Sequence, residues 1–263
     1  MATTLFQATL DLARAILYYA EGTATGGTTL TLIDNPTRTE PADFWNGGTI
    51  WHRDPVHNVT TSKVITDYAL TTWTITWAGA ITAVVAGDAY TIATNQIPRG
   101  ILQRSVNQAL SEIGNITQEN VALTTVADQE DYTLPAGVYN VVRVEIATAT
   151  AAPYYYVPHF NWEELPTTGE LRFDTGREPG DTGYIIRLFY NAPLAELTTD
   201  AGSISSYIHP ERLKWEAAVQ ACQWRFGFDK SWQDKLAQAI AMREIQRREH
   251  PIIRMDRDPH YSL

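Results

Sequence analysis

Residues 210–249, PERLKWEAAVQACQWRFGFDKSWQDKLAQAIAMREIQRRE, predict two consecutive helices and are the starting point for the architecture. The first runs from Pro210 to about Phe226, and its opening proline sits where the missing N–H costs least. Gly227 separates it from a second helix, which runs from about Asp229 to Glu249. Helical spacing places one set of side chains on a single face of the second helix: Trp232, Leu236, Ala239 or Ile240, and Arg243. The stretch therefore predicts a helical hairpin.

Apolar periodicity predicts two earlier helices. One runs from Thr4 to Ala20, is capped by Thr3 or Thr4, and ends at Gly22. The other runs from Pro98 to Ile113 and stops at Gly114. The first helix is too short to bury its apolar stripe alone, so it is expected to pack against the later helices.

Two segments between the helices show β-structure patterns, with β-branched and aromatic residues interrupted by turn signals. The first segment has five candidate strands, typical of a small antiparallel sandwich or barrel: Thr28–Ile33, Thr49–His52, Lys63–Thr66, Thr74–Thr76 and Ala89–Ala93. The second segment has a long strand and several shorter ones: Val138–Ile146, with Tyr132, Tyr154–Tyr156, Glu170–Phe173 and Tyr184–Tyr190.

The predicted fold class is α+β, with a helical-bundle core, two β excursions and an extended C-terminal arm. Its first β excursion is a small antiparallel barrel or sandwich insert, and its second is a separate β-region. The corresponding boundaries are residues 1–22, 98–120 and 208–249 for the bundle, 23–97 for the insert, 121–207 for the second β-region and 250–263 for the arm. No internal repeat of 20–50 residues is present.

Composition is typical of a folded chain, with 44% apolar and 19% charged residues. The formal net charge is −10, and it is uneven: residues 98–208 carry a net −8 and residues 209–263 a net +2. An acidic body disfavours phosphate binding, which needs clustered Lys and Arg. No stretch approaches the roughly 18 apolar residues of a membrane span. The first residues, MATTLFQATLDLAR, lack the basic start of a secretory signal, so we expect folding in a reducing cytoplasm.

Three groups of residues are candidates for chemistry, and each has a simpler explanation. His52 and His57 flank Asp54 in a predicted turn, but a zinc site normally shows more ligands at closer spacing. Glu163 and Glu164 are adjacent, so on a strand they point to opposite faces and cannot flank one substrate. The only cysteine, Cys222, lies in an apolar helical run and is expected to be a core or interface residue. We therefore predict a protein with no catalytic residue, metal or cofactor.

Tryptophan is concentrated in the predicted insert. Aromatic β-modules of this kind can stack on sugars, whereas tryptophan more often supplies core volume or interface anchors. The insert is accordingly a candidate outward contact surface, with a carbohydrate-binding role as an alternative, through Trp45, Trp51, Trp73 and Trp77.

The end of the chain, HPIIRMDRDPHYSL, has two prolines and no periodicity, which predicts an extended tail. Apolar side chains among arginines suit a segment that orders when it docks into a groove of another protein; a loose chain end is the alternative. The candidate partner-binding residues of this arm and of the helix before it are Arg243, Arg247, Arg248, Ile252, Ile253, Arg254, Met255, Arg257, Tyr261 and Leu263.

Several motifs within residues 98–226 resemble tailed-phage head–tail connector (adaptor or neck) proteins. They include a DQ-x-x-Y-x-LP strand at Asp128–Pro135, a V-R-V-E strand at Val142–Glu145 and an R-L-x-Y strand at Arg187–Tyr190. An acidic ELTTD loop at residues 196–200 and an alanine-rich helix follow. The insert, with Trp45-Asn46-Gly47-Gly48, resembles a small module spliced into various phage structural proteins.

The resemblance implies a non-enzymatic virion protein of the neck. It implies a ring of 12 copies below the portal protein, extending the DNA channel and docking tail or nozzle proteins. A C-terminal arm would bind the portal, the capsid is a further candidate partner of the insert, and DNA would pass without sequence-specific binding. No membrane is involved. The alternatives are a tail-completion or tail-terminator ring, a carbohydrate-binding tail component and a particle hydrolase.

Overall fold

The computed structural model describes residues 3–34, 39–54, 59–176, 179–252 and 254–255. The chain divides into two compact units. Unit 1 comprises Met1–Glu112 and Ala195–Pro251, and unit 2 comprises Ile113–Leu194 and Ile252–Leu263. Each unit is built from segments distant in sequence.

The helices lie where helix-stop and helix-start residues occur in the sequence. Their bounds are Leu5–Ile16 (α1), Arg99–Ile113 (α2), Pro210–Phe226 (α3) and Gln233–Glu249 (α4), with a 3-10 turn at Lys230–Trp232 before α4. Thr4 caps α1 by accepting a hydrogen bond from the Gln7 N–H. Gly114, after α2, has φ +74°, a left-handed conformation that favours glycine at a helix end. None of the helices in the described part of the chain has both the length and the apolar content of a membrane span.

Unit 1 contains a seven-stranded antiparallel sheet. Its strands are Tyr19–Thr23 (β1), Gly26–Gly27 (β2), Thr31–Ile33 (β3), Thr49–Asp54 (β4), Val59–Ala69 (β5), Thr74–Trp77 (β6) and Ala89–Ala93 (β7). Their order is β1-β7-β4-β5-β6-β3-β2. Buried aromatic and β-branched side chains form its core, including Trp45, Ile50, Ile65, Tyr68, Trp77 and Ile92. All of its strand pairs are antiparallel, and β1 joins the strands of residues 23–97 in this one sheet.

The helices of unit 1 pack on this sheet as well as on one another. The α1 helix packs against α3 and also contacts β5 and β7. Buried Trp51 of β4 donates a hydrogen bond from Nε1 to Thr9 Oγ1 of α1 at 3.2 Å. The sheet therefore covers part of the apolar stripe of α1, which the sequence predicted would be covered by the later helices.

Unit 2 is built from two antiparallel sheets. Their strands are Ile116–Thr124 (β8), Asp131–Thr133 (β9), Val141–Ala147 (β10), Tyr156–His159 (β11), Trp162–Leu165 (β12), Glu170–Phe173 (β13) and Ile185–Ala192 (β14). The four-stranded sheet has the order β11-β10-β14-β8, and the three-stranded sheet has the order β12-β13-β9. Side chains from both sheets share one core, including Tyr132, Val144, Trp162, Leu171, Phe173, Ile186 and Leu188.

The predicted helical-bundle core is wrong. Three antiparallel sheets supply most of the architecture, and each unit has its own sheet-based core. The first helix ends at Ile16 rather than at Ala20, because Tyr19 begins a strand that pairs with Ala93. Residues 116–120, grouped with the helices from sequence, belong to β8.

Candidate partner-binding surfaces

A buried acidic side chain joins α3 to α4. Glu216 is 2% exposed, and its carboxylate accepts hydrogen bonds from Arg247 Nε at 2.6 Å and Nη2 at 2.8 Å. The side chains of Arg212 and Arg243 lie within 4.0 Å of the same carboxylate. Hydrogen bonding to Glu216 raises the pKa of Arg247 above its ordinary value. This bidentate pair fixes α4 to α3 and orients the predicted partner-binding arginines of that helix.

The residue that follows α4 is held to the start of α3. The rings of His209 and His250 stack with their centroids 3.5 Å apart, and Arg212 Nη1 donates a hydrogen bond to the His250 carbonyl at 2.8 Å. His209 also caps α3, because its Nδ1 accepts from the Glu211 N–H. The C-terminal segment therefore leaves unit 1 from a fixed point at residue 250.

Unit 2 holds residues 254 and 255 through three hydrogen bonds. Arg254 Nη2 donates to the Ile113 carbonyl at 3.2 Å. The Met255 N–H donates to Thr117 Oγ1 at 2.8 Å, and Asn191 Nδ2 donates to the Met255 carbonyl at 3.0 Å. These two residues have no regular secondary structure. Segments outside helices and strands open more readily, which suits a segment that changes partners.

The predicted arm residues fall into three groups in the structure. Arg243, Arg247 and Arg248 lie on α4; Arg248 is exposed, whereas the other two face Glu216. Ile252 and Met255 are partly exposed and Arg254 is exposed. The remaining predictions lie outside the described residues: Ile253, Arg257, Tyr261 and Leu263.

The tryptophans of the insert are mostly core residues. Trp45, Trp51 and Trp77 are 0–2% exposed, so they cannot form the predicted outward surface without opening the sheet. Only Trp73, which has φ +46° after a 3-10 turn, is partly exposed. Burial therefore corrects the expectation of an outward contact surface for Trp45, Trp51 and Trp77.

His52, Glu164 and Cys222, which were considered for chemistry from the sequence, are each held in the folded structure by hydrogen bonds or burial. His52 lies in β4 rather than in the predicted turn, its Nε2 is 2.9 Å from Asp88 Oδ2, and both side chains are buried. The Glu164 carboxylate accepts from the Asn140 and Val141 N–H groups at 2.8 and 2.7 Å. Burial raises the pKa of the Cys222 thiol to about 11, which makes it a poor nucleophile.

His57 lies outside the described residues. Among those that are described, no group of His, Cys, Asp and Glu side chains could hold a metal ion.

Sequence reasoning missed a charged and aromatic face on the four-stranded sheet of unit 2. Buried Glu145 is ion-paired with both Arg143 and Arg187. The Arg187 guanidinium lies 3.8 Å from the ring centroid of Tyr156, and neighbouring Tyr155 is 70% exposed. Arginine and aromatic side chains are enriched at protein interfaces, so this face is a second candidate contact surface. The signal was the period-two spacing of Arg143 and Glu145.

A second missed residue, Asp200, lies in the acidic loop before α3. Its Oδ2 accepts hydrogen bonds from both the N–H and the hydroxyl of Ser62 in β5, each at 2.8 Å. Its Oδ1 accepts from Arg99 at 3.1 Å and from Gln103 at 3.3 Å, both on α2. The backbone carbonyl of Asp200 accepts from the Phe6 N–H of α1. One residue therefore links the sheet of unit 1 to two of its helices.

Comparison with known proteins gives one match. A family model described as SU10 adaptor protein matches residues 76–256, which is more than half of the chain. The match includes α2, α3, α4 and every strand of unit 2. No curated protein matches the chain.

Proposed function

This chain belongs to the SU10 adaptor protein family, a phage head–tail adaptor family, and on that premise we propose that it forms a ring of 12 copies beneath the portal protein. In the neck of the virion, this ring extends the DNA channel and provides the docking surface for tail or nozzle proteins. The observation that carries the proposal is the length of the family match, which reaches from residue 76 to the C-terminal segment.

The C-terminal segment is the proposed portal-binding arm. The segment starts from a fixed point at His250, and within the described residues three hydrogen bonds hold residues 254 and 255. If the segment left these contacts for a groove of the portal, it would give up the free energy of a few hydrogen bonds. In return it would bury apolar side chains beside arginines. The arm residues are Ile252, Ile253, Arg254, Met255, Arg257, Tyr261 and Leu263, with Arg248 exposed on the preceding helix.

The distribution of charge supports a passage for DNA. Residues 98–208 carry a net charge of −8, and a wall with this charge repels phosphate instead of binding it. Two arginines of this region are engaged by acids, Arg187 by Glu145 and Arg172 by Asp131. DNA therefore slides past without a specific contact.

Portal binding by truncated chains tests the arm. A chain ending at Glu249 should lose at least about 100-fold in affinity for the portal of the same phage, because several anchors worth roughly 2 kcal/mol or more are removed together. A chain ending at Met255 separates the described anchor residues from the eight that follow. The control is Arg225→Ala, which removes an arginine paired with Asp229 elsewhere in unit 1. Full binding by the chain ending at Glu249 would rule out the arm.

Ring size separates this function from that of a tail-completion or tail-terminator protein. Native mass spectrometry or electron microscopy of the complex with portal should give 12 copies. Six copies attached to a tail tube and no affinity for portal would favour the terminator.

A further inference from the structure

The α4 helix has a face that no described part of the chain covers. The helix packs against α3, and of its 17 residues only Ala239 and Gln246 are buried. On the opposite side the positions at spacings of three and four residues are all exposed. This stripe consists of Asp234, Ala237, Gln238, Ala241, Glu244, Ile245 and Arg248.

The stripe is symmetric about Ala241. Asp234 and Arg248 are each seven residues from it, whereas Ala237 and Ile245 are each four residues from it. If a second α4 helix lies antiparallel across the first with Ala241 at the crossing, these positions face each other. Asp234 then meets Arg248 of the second copy, twice by symmetry, and Ala237 meets Ile245. The remaining pair, Gln238 and Glu244, can form a hydrogen bond.

We propose that α4 pairs with α4 of a second copy of this chain, antiparallel and centred on Ala241. Charge complementarity selects this occupant, because the acid lies near the N-terminus of the stripe and the base near its C-terminus. Within the described residues neither Asp234 nor Arg248 has an ion pair or hydrogen bond through its side chain, so both charges are available. Alanine at the centre permits the close approach of two helices, about 8 Å between axes.

This contact is distinct from the ring. A two-fold contact uses the same patch on both subunits and closes at two copies, whereas a ring needs two different patches. The pairing therefore does not depend on the proposed function. It occupies Arg248, so a paired subunit cannot use that arginine on the portal. One helix pair is smaller than the roughly 1,200 Å² of a standard interface, so we expect a dimer with a Kd on the order of 100 µM.

Sedimentation equilibrium of the full chain without portal tests the pairing. The unmodified chain should dimerise, and Ala241→Glu, which places two carboxylates together at the crossing, should weaken dimerisation at least about tenfold. The matched control is Gln233→Glu, which adds the same charge at an exposed position beside the stripe. Asp234→Arg should also dissociate the dimer, and the double variant Asp234→Arg with Arg248→Asp should restore it. A strictly monomeric chain, or equal dimerisation by Ala241→Glu, would overturn the proposal.

Disulfide formation tests the register. Facing Cα atoms of two helices with axes about 8–10 Å apart are roughly 3.5–5.5 Å apart, which overlaps the range of about 4.4–6.8 Å found in disulfides, so Ala241→Cys should give a covalent dimer under mild oxidation. Gln233→Cys should not, since its two thiols would lie roughly 24 Å apart along the pair. The natural Cys222 is buried and does not compete. Larger oligomers from Ala241→Cys, or equal cross-linking by both variants, would indicate a head-to-tail or unspecific contact instead.

Discussion

The α3 and α4 helices have the same length, 17 residues, and pack against each other, yet they are held by different forces. Seven residues of α3 are buried, including Leu213, Val219 and Cys222, compared with two residues of α4. The α3 helix is thus a core element, whereas α4 depends on Trp232 before it and on the Arg247–Glu216 pair. Helical spacing predicts where a helix forms, but it does not show how many of its faces are covered.

The largest difference in stability between the two helices should come from replacing a leucine by alanine in each. Leu213→Ala in α3, where the side chain is 1% exposed, should lower the free energy of unfolding by about 3 kcal/mol, because it removes buried methyl groups and leaves a cavity. Leu236→Ala in α4, at a partly exposed position, should cost below about 1.5 kcal/mol. Urea unfolding of the two variants measures both values. Equal losses would mean that α4 is as deeply packed as α3.

The next effect should come from the buried acid. Glu216→Gln should destabilise the protein by about 2 kcal/mol, because three arginines would then face a neutral group; partial exposure of Arg247 to water reduces the full penalty of a broken buried pair. Glu244→Gln is the control, since that acid also pairs with Arg243 and Arg247 but on the surface. Its cost should be below about 0.5 kcal/mol. If the two variants lost the same stability in urea, charge pairing would not be what holds α4.

The smallest effect should appear at the junction of the helices and should depend on pH. Hydrogen bonds from Ser231, aided by Arg225, lower the pKa of the Asp229 carboxyl. A lowered folded-state pKa stabilises the fold above the unfolded-state value near 3.9, and this contribution is lost as pH falls through the folded-state pKa. Asp229→Asn should therefore lower Tm slightly at pH 7 and make no difference near pH 2. A Tm difference that persisted unchanged at low pH would exclude the ionised carboxyl as its source.

Local features of the fold were predictable from sequence where a stop residue sets a boundary. Pro210 and Gly227 give α3 its observed limits, and Gly114 ends α2 as expected. The strand Glu170–Phe173 agrees with its predicted bounds. Such signals act within a few residues of chain, so they can be recognised without knowledge of tertiary contacts.

The architecture was not predictable because it depends on contacts between distant residues. Tyr19 continues the helical stripe of α1 in sequence, but its pairing with Ala93 converts that position into a strand. Likewise, Trp45 and Trp77 were predicted to form a contact surface because tryptophan is common in binding sites, but both lie in the core of the sheet. The family resemblance was confirmed by the match over residues 76–256 although the helical core inferred with it was wrong. Motif recognition therefore succeeded where the inference of the fold failed.

The hydrogen bonds of Asp200 limit how this protein could be re-engineered. Ser62 lies before the first residue of the family match, whereas Arg99 and Asp200 lie inside it. Excision of the sheet as a cassette would leave this carboxylate without two of its donors and would uncover Thr9 of α1, which accepts from Trp51. Grafting the sheet onto another protein would therefore require the acidic loop at residues 196–200 to be grafted with the strands. Hydrogen bonds of Ser62 and Trp51 thus join the sheet to the acidic loop and to α1.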